Sequence, residues 1–303
     1  MPGKSNARLV RLLQQPLTLP CGAVLPNRLA KAAMTEGLAT GRGVPGEQLE
    51  RLYGLWSDGG AGLLLCGNIQ VDADHLERPG NVVIDQVPDR AMQRALSSLA
   101  AAGTRAGNHF WAQVSHAGRQ TMKSVNPHPK APSAVKLGLP GGQFGEPVAL
   151  TEGEIAEIVR RFAQCAAAVQ AAGFTGVQVH AAHGYLLSQF LSPRSNQRSD
   201  RYGGDLSNRA RILLEVVAAV RTAVGPDFPV AVKLNKERVS IPLMVTGGFR
   251  RREAMEQAIA SGGADLIGIG HERQRSACYV SFCRLSQGSV AAESVACRER
   301  CMT

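Results

Sequence analysis

Two imidazoles and a phenol fall within six residues in His180-Ala-Ala-His183-Gly-Tyr185, directly behind the apolar run Gly176–His180. Imidazoles bind metals or present N–H donors, and a phenol carries a transferable proton. The metalloprotease pattern is absent, because no glutamate follows the first histidine. Positions three apart on a strand point to opposite faces, so the two rings meet only if the chain bends after His180. Taken singly, the neighbouring polar residues have ordinary explanations. Lys233 is a snorkelling lysine near the end of the run Val230–Asn235, Thr35 is a strand-end hydroxyl, and a lone tyrosine packs. Tyr185, however, stands in a dense polar cluster, and Arg194, Asn196, Arg198 and Asp200 behind it are of the kind that ties down a loop.

The elements that must position these residues alternate. Short apolar runs at Lys31–Thr35, 61–68, 110–116, 176–180 and Val230–Asn235 predict buried strands. Between them Leu49, Leu52, Tyr53 and Trp56, then Met92, Leu96 and Leu99, recur at helical spacing. A third helix begins at a capping box, Thr151 with Glu154, carries Ile155, Ile158, Val159, Phe162, Ala166 and Val169 on one face, and stops before Gly173. Ile212, Val216 and Val220 stripe a fourth. Near-continuous apolar strands alternating with helices predict a parallel sheet covered on both faces. Polar and glycine residues gather just after the strands, at Thr35, Gly67-Asn68, His116, His180, Lys233 and Gly247-Gly248, which is the ligand-binding rim of a (β/α)8 barrel or of a doubly wound sheet. The lack of a G-x-G-x-x-G after the first strand disfavours the second. The Pro- and Gly-rich stretch Asn126–Pro147 predicts a long loop of the kind that usually serves function.

The totals exclude several classes. At 303 residues with 44% hydrophobic content the chain can bury a core, and no apolar run approaches a membrane span. The net charge of +10 comes without a basic run interleaved with aromatics, so nucleic acid is not the expected partner. Cys21, Cys66 and Cys165 read as small core residues. Cys278, Cys283, Cys297 and Cys301 lack the pair spacing of a zinc site, so reduced thiols in the cytoplasm are expected.

In chain order, Asn27–Thr35 (NRLAKAAMT), Gln113–Arg119 (QVSHAGR), Val179–Pro193 (VHAAHGYLLSQFLSP), Arg201–Arg211 (RYGGDLSNRAR) and Val245–Phe249 (VTGGF) together resemble the Old Yellow Enzyme family of NAD(P)H:flavin oxidoreductases. The resemblance implies a (β/α)8 barrel holding FMN non-covalently, with NADH or NADPH as reductant. It places Ala33, Met34 and Thr35 at the flavin edge near N5 and O4, and Gly67 where a side chain would intrude on the ring. It places Gln113 at the pyrimidine end and Lys233 near N1 and O2. Gly247, Gly248 and the chain beyond Gly270 would meet the phosphate. His180 and His183 match the pair that holds a substrate carbonyl or nitro oxygen, and Tyr185 the proton donor to an activated alkene.

The chain departs from that pattern twice. Only five residues, 236–240, separate the fifth-strand run from Ile241–Thr246, which corresponds to the seventh strand. The fifth helix, sixth strand and sixth helix are missing. Five residues span at most about 18 Å, whereas a parallel return needs about a dozen residues. The expectation is therefore a hairpin, with Gly247-Gly248 pointing away from the cofactor rim. After Gly270 the resemblance stops, and 271–303 has no apolar stripe. The expected organisation is an N-terminal extension (1–15), an incomplete barrel (16–270) and a tail (271–303). Its expected partner is a small activated alkene, and homo-oligomers remain open. The alternative is a truncated or mis-joined member that binds FMN weakly or not at all.

Overall fold

The computed structural model describes residues 12–234, 242–247, 249 and 251–270. Gly248, the tail and its four cysteines lie outside them. A short antiparallel hairpin, β1 (Leu17–Thr18) with β2 (Val24–Leu25), precedes the main sheet. The sheet is built from β3 (Leu29–Lys31), β4 (Leu63–Leu65), β5 (Ile69–Gln70), β6 (His109–Ser115), β9 (Gly176–His180), β10 (Val230–Lys233), β11 (Met244–Thr246) and β12 (Leu266–Ile269). A small parallel ladder pairs β7 (Lys130–Ala131), inside the long loop, with β8 (Val148–Ala149), just after it. The helices are α1 (Glu47–Asp58), α2 (Arg90–Thr104), α3 (Glu152–Ala171), α4 (Leu186–Leu191), α5 (Leu206–Val224) and α6 (Arg252–Ala260).

Local sequence explains these elements. At α3 the Thr151 side chain accepts from the Glu154 backbone N–H, and the Glu154 carboxylate accepts from Thr151, so the expected capping box is present. Asp89 caps α2 by accepting from the Met92 N–H at 2.7 Å. Leu63, Leu64 and Leu65 of β4 are all fully buried, as a strand covered on both faces requires. Leu64 belongs to the core between sheet and helices, with Phe110, Phe162 and Val216. Leu63 and Leu65 face inward with Leu17, Leu25, Trp111 and Leu266.

Every pairing in the main sheet is parallel, and the strands run β10-β9-β6-β4-β3-β12-β11, with β5 beside β6. Among the described residues this is the cyclic order of a (β/α)8 barrel with one position empty, between β11 and β10. The missing sixth strand is thus visible as a gap in an otherwise barrel-ordered sheet.

The hairpin expectation is corrected. β11 runs parallel to β12, pairing Met244 with Leu266 and Thr246 with Gly268, so Gly247 stands on the same rim as His180. Two physical reasons account for the difference. Both strands are shorter than their apolar runs, ending at Lys233 and starting at Met244, which lengthens the connection to residues 234–243. Ten residues reach up to about 33–36 Å, while a four-residue strand rises only ~13 Å. β10 and β11 are also the two edges of the sheet rather than neighbours, so no hairpin is needed.

Candidate active site

The strand rim brings the sequence-predicted residues together. β3 ends at Lys31, earlier than expected, which frees Ala33, Met34 and Thr35 to form a partly exposed rim loop. His180 is the last residue of β9, in register with Lys233 at the end of β10. The chain does bend after His180. His183 adopts φ 58° and Gly184 φ 76°, consecutive left-handed residues that fold the loop back before α4. His180 then stands 4.9 Å from Tyr185 and 5.1 Å from His183, ring centre to ring centre. The strain at His183 is of the kind held at functional sites.

These residues line one cavity of about 1830 Å³, against roughly 300–1,000 Å³ for ordinary ligand pockets. It is large because it runs from the rim past Trp111 to Leu17 and Leu25, and out between β10 and β11 past Val232 and Met244. Ala33, Met34, Thr35 and Gln113 line it from one side, and His180, His183, Tyr185 and Lys233 from another. Gly270 also lines it, and a Cβ there would come 3.1 Å from Ala32. Gly247, with φ 99° and open space around it, belongs to the rim. Gly67 lies behind the wall rather than on it. An added Cβ would collide with the Glu36 carboxylate and the Met34 carbonyl, so glycine is required by the rim loop itself.

Burial, reinforced by Lys233, holds His180 well below and His183 below the ordinary imidazole range, so both rings are neutral near pH 7. The Ala182 N–H donates to His180 Nδ1 at 3.2 Å, which leaves the ring proton on Nε2. Burial and the Glu77 carboxylate push the Tyr185 phenol up to about 12. Tyr185 is therefore a protonated donor throughout the neutral range. Burial depresses Lys233, which has no carboxylate partner among the described residues. An unpaired, partly desolvated cation facing a cavity suits an electron-rich ligand edge. Gln113 donates to Gln178 Oε1 at 2.6 Å, making a paired-amide wall. The ring-binding end thus fits a flavin: an amide reader, a free cation and an uncluttered rim loop. Of the phosphate end, Gly247 and Gly270 fall among the described residues, and Gly248 lies outside them.

Sequence reasoning missed two groups. Gln178 alternates with Gly176 and His180 along β9, and that period of two marks it as facing the same side. The second group is a buried ionic network behind the rim. Lys31, fully buried, donates to Leu65 O at 2.8 Å and Tyr53 Oη at 3.1 Å, and lies 3.6 Å from Glu36. Tyr53 and the Gly67 N–H both donate to Glu36. Burial lowers Lys31, with Glu36 opposing. A lysine inside a strand run was the available signal.

Asp72, His75 and His116 form a trio whose ligand atoms lie within 4.8 Å of each other. The hydrogen bonds argue for a caged carboxylate rather than a metal. The Lys130 N–H donates to His75 Nε2 and the Gly118 N–H to His116 Nδ1. The nitrogens left to carry a proton toward Asp72 are therefore His75 Nδ1 and His116 Nε2, at 3.1 and 3.6 Å, and Arg161 approaches at 3.0 Å. The long loop contributes through that Lys130 bond, and Arg119 and Arg198 also bind its carbonyls at Val135 and Pro132. None of its residues lines the cavity. Asn196 and Arg198 tie the loop after α4, as expected. Cys66 and Cys165 are buried, whereas Cys21 is half-exposed on the cavity wall.

A parallel sheet in barrel order with its histidines, tyrosine and lysine on the strand-end rim defines an incomplete (β/α)8 barrel of flavoenzyme type. The chain belongs to the NADH:flavin oxidoreductase / NADH oxidase family, whose model matches residues 13–238. It is 34% identical to the NADH-dependent flavin oxidoreductase iliE of Hypocrea jecorina, over 84% of this chain and 66% of that one. It is 41% identical to the NADH-dependent flavin oxidoreductase nadA of Aspergillus parasiticus, over 69% and 50%. The chain spans 44% to 66% of the length of such curated relatives. In fold it resembles morphinone reductase (TM-score 0.77, 24% identity, 93% of this chain and 91% of that one). It likewise resembles the Old Yellow Enzyme homologue of Zymomonas mobilis (TM-score 0.79, 23% identity, 92% and 94%).

Proposed function

We propose that the chain carries the site of an FMN-dependent NAD(P)H oxidoreductase that reduces activated C=C bonds, in α,β-unsaturated carbonyl or nitro compounds. The observation that carries this reading is the convergence of neutral His180 and His183, protonated Tyr185 and Lys233, which has no carboxylate partner among the described residues, on one cavity rim. Ala33, Met34, Thr35, Gln113 and Lys233 would hold the flavin ring, with Gly67 keeping the loop behind them in place. Gly247, Gly248 and Gly270 would flank the phosphate end. Bound FMN, recharged by NADH or NADPH, supplies the hydride chemistry. His180 and His183 donate N–H bonds to the substrate's carbonyl or nitro oxygen and stabilise the negative charge that grows there. Tyr185 delivers a proton to the α-carbon. The barrel unit is residues 16–270, flanked by 1–15 and 271–303. The partner is a small molecule, and the buried thiols suit a reducing, cytoplasmic setting. No helix among the described residues is long and apolar enough to cross a membrane.

One observation favours a second reading, an impaired family member. Among the described residues the position between β11 and β10 is unfilled, which leaves two sheet edges unpaired and the cavity open at the side. One experiment separates the two. The purified chain is titrated with FMN, then bleached with NADH and reoxidised by 2-cyclohexenone. One-to-one binding, bleaching and enone-dependent recovery are expected, with recovery slowed about 100-fold or more in Tyr185→Phe. A chain that aggregates or retains no FMN overturns the first reading in favour of the second.

A further inference from the structure

We infer that Asn68 is a positioning residue for the Tyr185 phenol, orienting its proton toward the cleft and holding the oxygen once that proton has left. The inference rests on Tyr185 being the proton donor proposed above. Asn68 follows Gly67 on the rim loop after β4, lines the same cavity as Tyr185 and is only 5% exposed.

Its amide has one orientation. Oδ1 accepts from Asn81 Nδ2 at 3.1 Å and from the Thr35 hydroxyl at 3.3 Å. Asn81 is itself 3% exposed and fixed, because its own Oδ1 accepts from the Arg78 backbone N–H at 3.0 Å. With both donors on the Asn68 oxygen, the NH2 group is left for the opposite side, toward the cavity that Tyr185 also lines, and a side-chain hydrogen bond from Asn68 lowers the Tyr185 phenol against the upward push of burial. The chain of amides thus runs from Arg78 through Asn81 and Asn68 to Tyr185, with every donor aimed the same way.

An N–H donor on a phenol oxygen has two consequences. It occupies a lone pair, so the hydroxyl proton points away from Asn68. It also stabilises the phenolate more than the phenol, because a hydrogen bond to an anion is about twice as strong as one to a neutral acceptor. In the proton step the Tyr185 O–H bond breaks, the α-carbon gains a C–H bond, and the electron pair stays on Oη beside the Asn68 N–H until water reprotonates it. Asn68 opposes the effect of burial and of Glu77 on this phenol, with Arg78 acting in the same sense as Asn68. His180 and His183, the other titratable groups facing the ring, are neutral at working pH.

The test compares Asn68→Leu, which removes the amide, with Asn68→Asp, which keeps the acceptor toward Thr35 and Asn81 and removes the donor. Enone-dependent reoxidation is expected to slow 10- to 100-fold relative to NADH bleaching of the same variant, in both variants, with a larger solvent isotope effect. A readout independent of turnover is the 13Cζ resonance of Tyr185, identified by its loss in Tyr185→Phe, which is expected to move in both variants without FMN present. A resonance at the wild-type position together with wild-type reoxidation overturns the inference. If Tyr185→Phe itself reoxidises at the wild-type rate, the parent reading fails and this inference with it. An impaired Tyr185→Phe beside unimpaired Asn68 variants removes the inference alone.

Discussion

Lys233 and His180 close adjacent parallel strands in register, so a cation without a carboxylate partner among the described residues stands beside a buried neutral imidazole. The lysine depresses His180 and, across the loop, His183. The same charge serves two ends: it adds to the burial that keeps the two rings neutral, and in the proposed site it would attract an electron-rich ligand edge.

Replacing Lys233 by Met therefore moves two measurements. Both histidines titrate at higher pH than in the wild type, though burial still holds them below the ordinary imidazole value. NMR titration of the ring resonances reads this directly in the FMN-free protein. FMN binding weakens by about tenfold, equivalent to about 1.4 kcal/mol, as read by fluorescence titration. Unmoved histidines would mean that Lys233 points elsewhere in solution.

The network behind the rim gives a stability prediction. Lys31 is wholly buried, and Glu36 is its carboxylate partner at 3.6 Å. Glu36→Gln leaves the lysine's charge uncompensated inside the protein, at a cost of about 3–5 kcal/mol. Lys31→Met alone strands Glu36 less severely, because Tyr53 and the Gly67 N–H still donate to it. The double variant recovers most of the loss, since both charges are gone together. Urea unfolding of the four proteins measures the cycle, and additive losses would show that the pair is not coupled.

Acid lability follows from the caged carboxylate. Burial, aided by neighbouring His75, pushes His116 down to about 4, while the unfolded chain titrates near the ordinary value. Between those two values the unfolded state binds more protons, so stability falls as pH drops from about 6.5 to 4, by about 3 kcal/mol. Burial alone would raise Asp72, but hydrogen bonds from His116 and His75 override it and hold it far below the carboxylate range. Its contribution is present above the unfolded carboxylate value and is lost as pH falls further. Replacing His116 by Asn, which keeps an acceptor for the Gly118 N–H, is expected to flatten the upper part of this profile and to shrink the lower limb, because His116 is the first of the groups that hold Asp72 down. Thermal unfolding followed from pH 7 to pH 3 checks both limbs.

Why the sequence disclosed some of this and hid the rest is a matter of range. The α3 capping box and its stripe from Ile155 to Val169 are local, and they appear as read. The rim residues were legible because parallel strands put their C-terminal ends on one side, whatever the strand order. Gln178 was legible in principle from the alternation along β9. The direction of β11 was not, because it depends on which strand β11 pairs with, and Leu266 is distant in sequence from the linker that invited a hairpin. The bend that unites His180, His183 and Tyr185 requires a left-handed His183, which no local pattern announces. The Asp72 cage joins residues from the loop after β5, the end of β6 and α3, so its spacing carries no motif.

The gap in the barrel predicts an uneven sheet. β6 and β9 are flanked by partners on both sides, and their residues are nearly all buried. β10 and β11 each pair on one side only, and their residues are half-buried or exposed. An amide whose strand has one partner opens without disturbing the rest, so it exchanges through local fluctuation rather than global unfolding. Amides of Val230–Lys233 and Met244–Thr246 should therefore exchange at least 100-fold faster than those of Gly176–His180 in the FMN-free protein. Because Lys233 closes one of the loose strands, bound FMN should slow exchange in β10 more than in β6. Equal protection across all these strands would mean that the two edges are closed in solution, by another part of the chain or by a second copy, and would remove the physical basis for the impaired reading.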